Sequence, residues 1–331
     1  MIELSAIPSA PHATPTTARL TAADRWDHFL ARIGYRRGAH RVEPGLYALG
    51  APSPESPVFV TANYTLSFDA LRSALAGVDA YLLVLDTKGI NVWCAAGKGT
   101  FGTDEIAIRV MATGLKDVVT HRKLILPQLG APGVAAHEVK KRTGFLVEYG
   151  PVRAEDLPEY LKSHQATPGM RRVRFPLRDR LVLIPVDLVR VLLPMLAAAA
   201  VLYFAGGWIV SLAAVTAILA GIVIFPILLP WLPTHNFSTR GFFLGGLAAL
   251  PFAVSVFLLH PDWTWYRQLV QALEFLLAMP AVTAFIALNF TGSSTFTSRT
   301  GVRREMYAYI PAMAWTFGTG LVLGIVSIFL H

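Results

Sequence analysis

Apolar residues fall into two regimes along this chain. Before about residue 165 they come in short runs broken by polar turns; beyond about residue 186 they fuse into stretches of roughly 20, the length a helix needs to cross hydrocarbon. In the first regime the spacing of Trp26, Phe29, Leu30 and Ile33 predicts a helix within 23–37, and compact structure starts at 45–50. Strand-like runs occur at 57–62, 80–86, 117–120 and 145–148, and helix-like spacing occupies 66–75, 104–115, 133–141 and 154–163. This alternation predicts an α/β domain, a parallel Rossmann-like sheet with helices on both faces. Ligands of such sheets lie beyond the carboxyl ends of the strands, where Thr61, Asn63, Thr65 and Asp86 would stand.

The second regime predicts an all-α transmembrane domain of five helices over 186–331, with spans at 186–204, 208–229, 241–259, 269–290 and 307–330. The first carries Asp187 and Arg190 at its start, and Glu274 is the one acid well inside an apolar run. Ahead of them, residues 166–185 form a basic linker in which RRVRFPLRDR reads as an anchor at the membrane surface. Residues 1–22, rich in Ala, Pro, Thr and Ser, read as a disordered leader without the features of a signal peptide. The region 23–165 is then the folded head.

Charge supports this division. Residues 171–331 hold 11 Lys and Arg against 5 acids, which is 6 of the 8 net positive charges. An excess beside apolar spans suits an anionic bilayer, and no basic face interleaved with aromatics points to nucleic acid. Arg240, Arg299, Arg303 and Arg304 fall in the second and fourth loops, with only Arg267 in the outer ones. The positive-inside rule therefore places the head in the cytoplasm, beneath a multi-pass inner membrane protein whose C-terminus is outside.

Chemistry concentrates at the single cysteine. Asn91 can cap a short helix over 93–98 within NVWCAAGKGT, closed by Gly97 and Gly99. Cys94 in its first turn feels the positive end of the peptide dipoles, and Lys98 adds a cation one turn on, an environment that favours thiolate. From the residues alone, a small packed side chain beside Trp93 and Ala95 remains the other reading. One cysteine excludes a disulfide framework and an iron-sulfur cluster. At the end of the run 117–120, His121 leads toward the Gly- and Pro-rich loop 128–133, opened by Gln128. That loop either presents backbone groups to a ligand or is a solvated turn.

The stretch Asn91, Val92, Trp93, Cys94, Ala95, Ala96, Gly97, Lys98 resembles, at every position, the cap-helix motif of the membrane-bound corrinoid protein of microbial mercury methylation. VTANYTLSFDALRSAL (60–75), FGTDE (101–105), HRKLILPQLGAPGV (121–134) and YGPVRAEDL (149–157) extend the similarity. They also resemble the corrinoid domain in the large subunit of the acetyl-CoA-pathway corrinoid iron-sulfur protein, which is not expected to carry this cysteine. The resemblance implies a corrinoid-binding domain and a corrinoid-dependent methyltransferase that passes a methyl group from a methyltetrahydrofolate-linked donor to Hg(II). It further implies a cobalamin-type cofactor contacted by Thr61, Asn63, Thr65, Asn91, Val92, Trp93, Cys94, Ala95, Gly97, Lys98, His121 and Gln128. Cys94 would be the lower axial ligand of cobalt, since the Asp-x-His-x-x-Gly signature of histidine-ligated corrinoid proteins is missing. The same resemblance, and a chain with no thiol left for Hg(II), imply a ferredoxin-like iron-sulfur partner as reductant and Hg(II) donor. A corrinoid methyl carrier of C1 metabolism with another acceptor, and a membrane corrinoid-binding or transport protein, are the competing readings.

Overall fold

A computed structural model describes residues 13–36, 38–294 and 299–330. It divides into two compact units, residues 35–173 with the chain up to 31, and residues 174–331 with 32–34. The first unit is built on a six-stranded sheet in the order β1-β2-β4-β3-β5-β6. Its strands are β1 (Thr14–Thr16), β2 (Gly45–Leu49), β3 (Val58–Ala62), β4 (Ala80–Leu85), β5 (Lys123–Leu126) and β6 (Leu146–Tyr149). β3 and β4 are buried along their full length, as strands covered on both faces should be. Helices α1 (Ala22–Ile33), α2 (Thr65–Ala74), α3 (Val92–Lys98), α4 (Thr103–Ala112), α5 (Leu115–Val118), α6 (Ala136–Thr143), α7 (Leu157–Ser163) and α8 (Pro168–Arg171) complete it. Two apolar clusters form its core, one with Val60, Leu83, Phe101 and Ile106, the other with Phe59, Phe68, Leu82 and Tyr160.

Three expectations change. The sheet is mixed, because β2 runs antiparallel to β4 while the other pairings are parallel. Residues 14–16, within the expected leader, form a strand paired with β2, held by the Arg72 guanidinium, which donates to Thr17 O (2.6 Å) and Arg19 O (3.0 Å). The rest of that leader, residues 1–12, lies outside the described residues. Residues 117–120 are not a strand: after a left-handed Gly114 (φ 57) the chain makes one more helical turn, and the apolar run Leu124, Ile125, Leu126 takes the place in the sheet.

Among its described residues the second unit holds four helices long and apolar enough to cross a membrane, Leu177–Leu228, Phe237–Leu259, Trp265–Phe290 and Thr300–Phe329. That is one fewer than expected, because the spans foreseen at 186–204 and 208–229 run on in the first of them. This 52-residue stretch is not straight. Within α10 (Ile184–Leu219), Gly207 adopts φ 82, ψ −177, a region open essentially to glycine alone. Ser211 Oγ donates to Ala199 O at 2.8 Å. Twelve residues of continuous helix would hold those groups about 18 Å apart. The chain folds back at Gly207.

Five arginines were expected to lie at the membrane surface, yet Arg180 is only 3% exposed. From the short helix α9 (Leu177–Leu181) it donates to Pro226 O and Ile227 O, both at 2.7 Å, satisfying carbonyls at the end of α11 (Phe225–Leu228). Beyond it, α12 (Phe237–Leu259) meets α13 (Trp265–Asn289) through Gly241 and Gly245, where a Cβ would fall 2.5 Å from Ala284 Cα and 2.6 Å from Pro280 Cα. Small residues four apart let the backbones approach, the usual device of helix pairs in lipid. On the last helix, α14 (Arg299–Phe329), Gly324 leaves room for the carboxylate of Glu274, which accepts from the Gln271 amide; Ser327 Oγ donates to Gln271 Oε1 at 3.0 Å. Residues 295–298 of the hydroxyl-rich loop before α14 lie outside the described residues.

Candidate functional site

The site is assembled where β3 and β4 end. Thr61 pairs with Val84 and Ala62 with Leu85, so the chain leaves both strands at one level, into Asn63 and Asp86. Asn63, 1% exposed, organises the turn after β4. Its Oδ1 accepts from Thr87 N–H (3.1 Å) and Gly89 N–H (3.0 Å), and Thr87 Oγ1 lies 2.9 Å away. Lys88 and Gly89 turn through positive φ (58° and 70°), a reversal that Gly89 adopts without strain and that the Asn63 bonds hold in place at Lys88. Asn63 is thus committed to the protein itself, in contrast to the expectation that it contacts a cofactor.

That turn delivers Asn91 in extended conformation (φ −62, ψ 159) as N-cap of α3, with its Oδ1 accepting from Cys94 N–H at 2.9 Å. Gly99, at φ 82, ends the helix. Val92, Ala95 and Ala96 are buried, while Asn91, Cys94, Gly97 and Lys98 lie exposed on the opposite side. The thiol is free. Gly97, with nothing within 4 Å of where a Cβ would stand, leaves the surface beside the sulfur open.

Beneath α3 lies the turn of 3-10 helix Gln128–Gly133, so the sequence RKLILPQLGAPG serves packing more than solvation. A Cβ on Gly133 would stand 2.3 Å from Phe101 O and 3.0 Å from Ala96 Cα, and one on Gly130 2.4 Å from the Phe101 ring. Both glycines permit close approach. Tyr149 Oη donates to Val134 O (2.9 Å) at the end of this turn, and burial pushes its pKa up, keeping it a neutral donor.

Beside the exposed face is a cavity of about 360 Å³ lined by Thr61, Leu66, Asn91, Trp93, Leu126 and Arg153, among others. Thr61, Asn91, Val92 and Trp93 are therefore brought together in one wall, and Thr65 begins α2 at the rim. Gln128 comes after Pro127 out of β5, its Oε1 accepting from Arg171 at 3.2 Å. His121 is not brought there. Because the strand starts at Lys123 rather than ending at 120, His121 stands at the amino edge of the sheet, with Nε2 donating to Ser56 O (2.9 Å) and Nδ1 accepting from Lys123 N–H (3.2 Å). Ser67, Pro151 and Arg153 were missed as lining residues. The segment 149–157 offered the only signal for the last two.

Among the described residues no group of three or more His, Cys, Asp and Glu could hold a metal ion. A metal at Cys94 would therefore lack a three-residue protein cluster and would bring further donors with it. A metal inside a planar macrocycle fits that donor set and the open face of α3.

Residues 36–161 match the family model described as CO dehydrogenase/acetyl-CoA synthase delta subunit. The chain is 36% identical over 128 residues to the acetyl-CoA decarbonylase/synthase complex subunit gamma of Methanopyrus kandleri, covering 38% of this chain and 27% of that subunit. It is 32% identical over 126 residues to the same subunit of Archaeoglobus fulgidus, covering 38% and 26%. The corrinoid/iron-sulfur protein large subunit of Moorella thermoacetica is 28% identical over 153 residues, 44% of this chain and 34% of that one. The chain thus spans between a quarter and about a third of the length of these relatives. Residues 36–161, a mostly parallel α/β domain with Cys94 on an exposed helix, match this family's model over little more than a third of the chain and are similar to the gamma and corrinoid/iron-sulfur large subunits; among the described residues four long apolar helices follow.

Proposed function

We propose that this chain is a membrane-anchored corrinoid methyl carrier whose acceptor is Hg(II), with Cys94 as the lower axial ligand of the cofactor. One observation carries the reading: an exposed free thiol on a capped helix that belongs, among the described residues, to no cluster of three or more metal-ligating side chains. The relatives named for a corrinoid and for acetyl-CoA decarbonylase/synthase support the cofactor and the one-carbon chemistry. A bound corrinoid supplies a cobalt centre able to take up and release a methyl group. Against that centre the exposed face of α3 offers Cys94 Sγ, with Gly97 leaving clearance and Lys98 adding a cation to the same exposed face. A thiolate is a strongly electron-donating ligand, which favours departure of the methyl as a carbanion equivalent toward a soft electrophile such as Hg(II). Thr61, Thr65, Trp93 and Gln128 contribute surface for the macrocycle's rim, Ala95, fully buried, packs α3 onto its own domain instead of touching the cofactor, and Asn63 and Asn91 hold the helix that presents the sulfur.

The donor in this reading is methyltetrahydrofolate-linked, and a ferredoxin-like iron-sulfur partner supplies electrons and delivers Hg(II), because the single cysteine is occupied. The head lies in the cytoplasm beneath the inner membrane. Both legs of the fold at Gly207 cross the bilayer, making five crossings from four apolar helices. A second reading, a methyl carrier of C1 metabolism with another acceptor, draws support from the acetyl-CoA decarbonylase/synthase relatives.

The test is the full chain, its corrinoid and a reduced partner, offered Hg(II) or a biological thiol, with methyl groups counted in each product. Cys94→Ala is expected to insert and retain corrinoid, lose the visible spectrum of thiolate-ligated cobalt and drop mercury methylation by orders of magnitude. Cys94→Ser preserves size with a hydroxyl that stays protonated, and should behave alike. Normal methylation by either variant with an unaltered spectrum would refute the assignment; preferential methylation of the thiol would favour the second reading.

A further inference from the structure

Helix α1 is turned inside out. Its polar residues face the α/β unit: Asp24 accepts from Arg72 at 2.8 Å, Asp27 Oδ1 lies 2.7 Å from His40 Nδ1, and His28 Nε2 lies 2.6 Å from Asp69 Oδ2. Its aromatic residues face out. Trp26 is 62% and Phe29 49% exposed, with rings stacked at 5.3 Å. Arg25 and Arg32 are exposed on the same face, four and three residues from Phe29, and the two acids of the helix, Asp24 and Asp27, are both paired inward. Tyr35, 51% exposed, stands just past the helix with Arg36 stacked over its ring. A helix that only covered its own domain would bury Trp26 and Phe29 and leave the acids in water.

We infer that α1 is an interfacial helix whose Arg25–Trp26–Phe29–Arg32 face lies on the anionic headgroup layer of the membrane. Three observations select lipid as the occupant. Amphipathic aromatic rings flanked by arginines suit the boundary of headgroup and hydrocarbon. The two exposed arginines make the face positive, complementary to an anionic leaflet. On the proposed reading that the four long apolar helices among the described residues cross a bilayer, that surface is within reach of the domain at high effective concentration. The Arg72 and His40 pairings fix the helix so that the aromatic face is presented rather than free to roll inward. The corrinoid reading plays no part in this inference, and the test uses no corrinoid.

The experiment places a nitroxide at Phe29→Cys in the full chain carrying Cys94→Ala, reconstituted in nanodiscs of neutral lipid or of neutral lipid mixed with phosphatidylglycerol. His137→Cys, whose side chain is 82% exposed on α6, is the control position. With anionic lipid, the ratio of oxygen to nickel-chelate accessibility at 29 should rise severalfold above that at 137, and Arg25→Gln with Arg32→Gln should return it toward the control. An equally water-accessible label at both positions would overturn the inference. So would a label shielded from both reagents regardless of lipid charge, which would mean that protein covers this face.

Discussion

Gly133→Ala tests whether the glycine-rich turn exists to seat the cap helix. The added Cβ would lie 2.3 Å from Phe101 O and 3.0 Å from both Ala96 Cα and Ala96 O, where an ordinary contact begins at 3.4 Å. All three neighbours are backbone, so no side chain can rotate away. Gly133 needs no left-handed conformation, and its backbone can accept alanine; the cost is steric alone. Either α3 or the turn beneath it must shift by about 1 Å, and overpacking of this kind costs about 1–3 kcal/mol. If the strain is borne locally, amides of residues 92–101 should exchange with solvent roughly 5 to 150 times faster, since about 1.4 kcal/mol is tenfold. Hydrogen exchange of the full chain in detergent measures this. Gly97→Ala is the counterpart: nothing lies within 4 Å of its Cβ, so it should slow exchange of the same helix through about 1 kcal/mol of better helix propensity. It would also place a methyl on the exposed face beside Cys94 and weaken corrinoid retention. Unchanged exchange in Gly133→Ala, or faster exchange in Gly97→Ala, would refute the packing argument.

Asn91→Ala removes the cap on Cys94 N–H and should destabilise α3 by about 1 kcal/mol. Corrinoid titration and product counting should find the cofactor bound and methyl transfer partly reduced. Arg72→Met leaves Asp69, 2% exposed, with His28 as its remaining ion-pair partner and removes the bonds to Asp24, Thr17 O and Arg19 O; it should cost up to about 3–5 kcal/mol, read as proteolytic release of residues 13–33. Burial acts to raise the pKa of Asp24, but hydrogen bonds from Thr21 and Arg72 outweigh it and hold the carboxyl below its usual 3.8. The contribution of Asp24 to stability is therefore fully present above about pH 3.8 and disappears as pH falls through the lower, folded value. Acid titration of α1 protection by hydrogen exchange should show loss only below that point. Reporters fused after residue 170 and after His331 should score on opposite sides of the membrane. Gly207→Ala, costing about 1–3 kcal/mol of backbone strain, should weaken that topology. Reporters on one side in the unaltered chain would refute five crossings.

The sequence by itself determined the elements whose signals are local. Alternating apolar runs and turns placed β3, β4 and β6, and Asn91 and Gly99 set both ends of α3, because capping and glycine conformation act within a few residues. Length and apolarity marked the helices long enough to cross a membrane. What the tertiary structure decided was direction and partnership. His121 read as a pocket residue because 117–120 looked like strand, but competition for the sheet was won by Leu124 to Leu126, which reversed its place. Asn63 reads alike as a ligand contact or a turn organiser until Thr87 and Gly89 come within bonding distance. Helical spacing located α1 yet gave no hint that Asp24, Asp27 and His28 would turn inward, since their partners Arg72, His40 and Asp69 stand up to 48 residues away. Charge pairs across such separations leave no periodic trace, and only folding brings them together.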